Sequence, residues 1–126
     1  LALQFSVAVR NAKLDAIETT LGVSAILRIR TGAAPASCAD ADAGTVLAEL
    51  TLPVDWAAAA SGGTKAKSGT GTAAHWRLYD STGTVCHAQG TCTATGGGGD
   101  MELSSTSITT GDAVSVTAWT FTEGNA

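Results

Sequence analysis

The sequence predicts a mainly β domain, an antiparallel β-sandwich or jelly-roll-like body with one N-terminal α-helix. Two observations predict it. Only one stretch, near the N-terminus, carries a 3.6-residue apolar period. Every later apolar run is short, alternates with period two and is bounded by Gly, Pro, Asp or Ser, as in all-β chains with no helical crossovers.

The helix is "SVAVRNAKLDAIETTLG", residues 6 to 22. Val7, Leu14, Ile17 and Leu21 recur on one face, Ser6 is placed as N-cap, and Gly22 is placed as a left-handed C-cap, giving a helix over about 6–21. "AILRIRTG" follows as a strand with Ala25, Leu27 and Ile29 on one face and Ile26, Arg28 and Arg30 on the other. Residues 34 to 44, "APASCADADAG", form a turn-rich loop. "TVLAELTLP" then sets Val46, Ala48, Leu50 and Leu52 together and ends at Pro53. Residues 54–73 are expected to be a long exposed loop with a helical turn at Trp56, the best candidate for a contact arm.

"HWRLYDSTGTVCHAQG", residues 75 to 90, concentrates two histidines, a cysteine, a tyrosine and an arginine. Its alternation and the central "DSTG" predict a hairpin with Tyr79 opposite Thr84, placing Trp76 and Leu78 on one face and His75, Arg77, Cys86 and Ala88 on the other. "TCTATGGGGD" is expected as a flexible glycine connector and "MELSSTSITTGD" as a short strand and turn. "AVSVTAWTFT" is a last strand in which the apolar parity switches between Val116 and Trp119, the mark of a bulge or of a strand covered on both faces. Trp76 and Trp119 are assigned to the core.

At 126 residues the chain fits one domain over 1–126. Its apolar fraction of 44% is alanine-rich and only 5% of residues are aromatic, so the core should be thin. Charged residues make up 14%, about half the usual share, which suits a protein packed against others and equally a small monomer from a GC-rich genome. A net charge of −4 with seven scattered basic residues argues against direct nucleic-acid binding. No apolar run is long enough for a membrane span, and Arg10 and Asn11 interrupt the only stretch that could imitate a signal peptide. An initiator methionine is expected to have been removed before Leu1 or to lie outside the numbering. Three cysteines, Cys38, Cys86 and Cys92, without a C-x-x-C pair, point to inert thiols and a reducing cytoplasm.

No catalytic, cofactor or metal site is predicted. In the expected register His75 and His87 face opposite ways, so a shared metal is disfavoured. Cys86 and His75 share a face, but no oxyanion donors or orienting group accompany them. Asp40 and Asp42 share a loop without an aromatic platform, where solvation or a weakly held cation is the expectation.

The phrases "FSVAVRNAKLDAIETTLG", "LRIRTGAAPASCADADAGTVLAELTLP", "AAHWRLYDSTGTVCHAQG" and "GGGGDMELSSTSITTGDAVSVTAWTFT" cover most of the chain. Together they resemble small structural proteins of tailed bacteriophages, most closely capsid decoration (cement) proteins such as that of Bordetella phage. The resemblance implies a jelly-roll-like fold without a catalytic motif, and a place on the capsid exterior after assembly in the bacterial cytoplasm. It further implies the major capsid protein as partner and self-association as a homodimer, with a trimer as the alternative. Longer family members carry more sequence between the lysine loop and "GTAAHW". Contact is expected through Trp56, Lys65 and Lys67, since tryptophans anchor interfaces and the lysines suit acidic capsid surfaces. The competing roles are a tail, collar or head-to-tail joining component, and a carbohydrate-recognition module, for which three tryptophans and one tyrosine are a poor supply.

Overall fold

The computed structural model describes residues 3–52, 64–66, 70–109 and 113–119. Helix α1 (Val7–Leu21) is followed by strands β1 (Ile26–Thr31), β2 (Val46–Thr51), β3 (Thr64–Ala66), β4 (Gly71–Tyr79), β5 (Cys86–Ala94), β6 (Met101–Leu103), β7 (Ser107–Ile108) and β8 (Ala113–Trp119). The chain is mainly β with one N-terminal helix. The sheet runs β2-β1-β4-β5-β6-β8-β3, with β7 added to the start of β4. It curls until its end strands β2 and β3 approach each other.

Alternation places the core. Leu27 and Ile29 of β1 lie opposite Leu50 and Ala48 of β2 on one side and opposite Leu78 and Trp76 of β4 on the other. All six are buried and, with Met101, Leu103 and Val114, form the inner apolar layer. Trp76 lies over Gly90, where a Cβ would come within 2.7 Å of its ring, and meets Trp119 edge-on at 5.1 Å. The parity switch in the last strand is a bulge: Val116 pairs with Leu103 but Ala118 pairs with Glu102, so Thr117 is the extra residue. That returns Trp119 to the inner side opposite Met101.

The N-cap forms as expected, with Val9 N–H donating to Ser6 Oγ; Gly22 ends the helix where expected and donates its N–H to Glu18 O, but at φ +70° and ψ −164° in place of the left-handed helical conformation. The packed face is shorter than the periodicity predicts. Leu21 alone of the helix is buried, Ile17 is partly buried against the core, and Val7 is 61% exposed. The helix meets the body through its C-terminal half, so an apolar period that runs its whole length is used only at one end.

Two further differences from the sequence expectation are local. The span 54–73 is not one continuous loop, because it contains β3 and the first residues of β4, among them buried Ala73. The glycine connector forms a tight reversal that sets β6 parallel to β5, in a sheet whose other pairs are antiparallel. Parallel neighbours usually need a crossover of a dozen residues or more, whereas here only 95–100 intervene. The reversal is hydrogen-bonded throughout: Thr95 N to Leu103 O, Gly97 N to Ala94 O, Gly98 N to Glu102 Oε1 and Gly99 N to Thr93 Oγ1. Gly98 adopts φ +78°, and a Cβ on Gly97 would lie 2.6 Å from Thr93 Cβ, so side chains are excluded by both conformation and space.

Candidate functional site

The outer face of β1, β4 and β5 carries the groups that look most like chemistry. The same alternation that turns Leu27, Ile29, Trp76 and Leu78 inward turns Arg28, Arg30, His75, Arg77 and Tyr79 outward. Arg28 lies directly opposite Arg77, a like-charge pairing that needs neutralisation. Arg28 is neutralised by Glu49 on β2 at 2.9 Å, stacks over the Tyr79 ring at 4.7 Å and donates to Gly83 O in the β4–β5 turn.

Arg77 and Arg30 are neutralised by a loop. Residues 32–45, between β1 and β2, fold back over the outer face and bring Asp42 onto it. The Asp42 carboxylate accepts from Arg30 Nη2 at 2.8 Å, from Arg77 Nη1 at 2.5 Å and from the Tyr79 hydroxyl at 2.5 Å. Arg77 Nη2 also donates to Cys38 O and Asp40 O. Gln89 Nε2 donates to Pro35 O at 2.6 Å, and His75 Nδ1 is paired with Gly32 O at 2.7 Å. The loop is thus fastened to β4 and β5 along its length, and Arg77 is only 1% exposed.

Electrostatics follow from this packing. Burial alone would raise the Asp42 carboxyl, but the Tyr79 hydrogen bond and the charges of Arg30 and Arg77 outweigh it and hold the group below its ordinary 3.8. Burial and the hydrogen bond to Asp42 raise Tyr79, which therefore stays a phenol and a donor. The expectation that Asp42 is merely solvated is overturned, because two guanidinium groups and a hydroxyl occupy its oxygens. Asp40 instead organises the turn, accepting from Ser37 N at 2.9 Å.

A half-open hollow of about 530 Å³ lies at this edge, lined by Cys38, Asp40, Asp42, Arg77, Tyr79 and Cys86 among others. The sequence-derived candidates do not converge there as a reactive set. His75 is fully buried against Gly32, and His87 is exposed on the β4–β5 turn side, 3.7 Å from Asp80. Cys86 pairs across the sheet with Tyr79, four positions along β4 from His75, and its sulfur meets Cys38. Among the described residues no three His, Cys, Asp or Glu side chains form a metal-binding group. Trp56 and Lys67 lie outside the described residues. Lys65 is in β3, its backbone opposite Val114 of β8.

Sequence reasoning missed Asp42 as the centre of this arrangement. A signal existed in Arg28 and Arg30 on one face of a strand, and Arg77 in the hairpin, beside the acidic "DAD" of the loop that follows that strand. No protein-family model, curated protein sequence or solved structure matches the chain.

Proposed function

We propose that this chain is a non-enzymatic structural protein of a tailed-phage virion, a decoration protein that binds the outside of the head and bridges major capsid protein subunits. The proposal begins from the family resemblance of the sequence. The structural observation that carries it is the N-terminal end of the described chain: α1 packs on the body by its C-terminal end, and Leu3 ahead of it (73%) and Val7 (61%) and Val9 (43%) within it are exposed apolar side chains available to a partner. The polar residues of the outer face support it from the other side. Asp42, Arg30, Arg77 and Tyr79 engage one another, so the groups that could do chemistry are used in holding a loop. Many copies of such a modest contact add up across a symmetric shell.

Electron microscopy of purified particles tests the reading. Density for this chain over capsid-subunit junctions, in hundreds of copies per particle as shell symmetry requires, is the expected result. Location at the neck or tail, in about a dozen copies fixed by a single symmetry axis, rejects the decoration role in favour of a joining role. Absence from particles rejects the virion assignment. A variant carrying Val7→Ser and Val9→Ser should fold normally and bind shells less tightly.

A further inference from the structure

We infer that Cys38 and Cys86 are a disulfide-forming pair, which a low-molecular-weight disulfide such as glutathione disulfide closes to lock the 32–45 loop onto β5. The two residues are 48 positions apart in sequence, yet their Sγ atoms are 2.6 Å apart, about half an ångström beyond a bonded pair. Both sulfurs are carried by hydrogen-bonded backbone. Cys86 is in register with Tyr79 on β4. Cys38 follows Ser37, whose N–H is held by Asp40 Oδ2, and its own carbonyl accepts from Arg77 at 3.0 Å. Both cysteines are half-buried and line the open hollow, so a small disulfide reaches them. Cys92 is different. It is buried at 6% exposure, and its sulfur neighbour is the thioether of Met101 at 4.0 Å, which cannot form a disulfide with it. The odd cysteine count thus resolves into one pair and one core thiol.

The chemistry is two successive exchanges. One protein thiol loses its proton to solvent, and the thiolate attacks a sulfur of glutathione disulfide, expelling one glutathione thiolate. The second protein thiol then ionises and attacks the protein sulfur of that mixed disulfide, forming the Cys38–Cys86 bond and expelling the second glutathione. Two protein thiols are oxidised, one glutathione disulfide is reduced to two thiols, and no other co-reactant is needed. Burial, reinforced by the neighbouring Cys86 thiol and opposed by Arg77, pushes the Cys38 thiol up to about 11. Exchange is therefore slow at neutral pH and accelerates as pH rises.

The test equilibrates the full chain with glutathione and glutathione disulfide at graded ratios, traps remaining thiols by alkylation, and maps the peptides by mass spectrometry. The expected result is loss of two hydrogen atoms, one linked peptide pair containing Cys38 and Cys86, and alkylation of Cys92 only after unfolding. The oxidised chain should melt roughly 10 °C higher than the reduced one, and Cys38→Ala should abolish both the link and the difference. Three alkylatable thiols across the whole series, including glutathione disulfide alone, overturn the inference, as does a link containing Cys92. The mapping uses the unmodified sequence, so the outcome does not depend on a variant folding.

Discussion

The two faces of β4 are built from adjacent residues and held by different physics. Inward, Trp76 and Leu78 join an apolar layer whose contacts are non-directional and whose losses are graded by volume. Outward, His75, Arg77 and Tyr79 are covered by a loop, and one carboxylate, Asp42, holds two arginines and a hydroxyl at fixed distances. A packed apolar layer shares a defect among many neighbours. A charge centre fails when its counter-ion is removed, because the charges it balanced are left buried without one.

The largest expected effects break one side each. Asp42→Ala should cost about 3 kcal/mol in urea unfolding, the low end for a buried pair: Arg77 loses its counter-charge while almost fully buried, but the Asp42 carboxylate is itself 36% exposed and partly screened by water. On the inward side, Leu78→Ala should cost about 3 kcal/mol, the usual range for a buried leucine. Gly90→Ala sharpens the comparison by overpacking, because the new methyl enters the Trp76 ring and the Asp100 carboxylate; about 2 kcal/mol is expected. At α1, which belongs to neither face, Ser6→Ala should cost about 1 kcal/mol through the lost cap to Val9.

Acid separates the faces without mutation. The Asp42 carboxyl is depressed in the folded chain, so its contribution is complete above the unfolded value and is lost as pH falls through the folded one. Amide-exchange protection at Arg77 and Tyr79 of β4, taken relative to the intrinsic rate at each pH, should therefore fall as pH drops below about 3.8, while Leu27 and Ile29 in β1 keep more of theirs. The Asp42→Ala variant should lack this acid step.

The inward side was legible in the sequence because burial there follows period two. Ala25, Leu27 and Ile29, the caps at Ser6 and Gly22, and the bulge before Trp119 all lie where the pattern puts them. The hairpin was legible but its register was not. Tyr79 faces Cys86 rather than Thr84, because the turn takes six residues and a bulge follows at once between Leu78 and Tyr79. Asp42 and the Cys38–Cys86 approach were illegible for a different reason. Both are set by how one irregular loop returns across a sheet, which no local period records. The glycine run misled in the same way: a flexible composition becomes a fixed reversal once Thr93 and Glu102 supply acceptors.

The central claim is that the charged outer face is structural and takes no part in the capsid binding proposed above. The combined variant Arg30→Met, Asp42→Leu, Arg77→Met tests it directly by removing the three charges of the Asp42 centre together. The account predicts that it regains most of the stability lost by Asp42→Ala and occupies shells lacking this chain to the same stoichiometry as the unaltered protein. A variant that folds cooperatively yet leaves those shells bare would contradict it and assign the charges to the working surface.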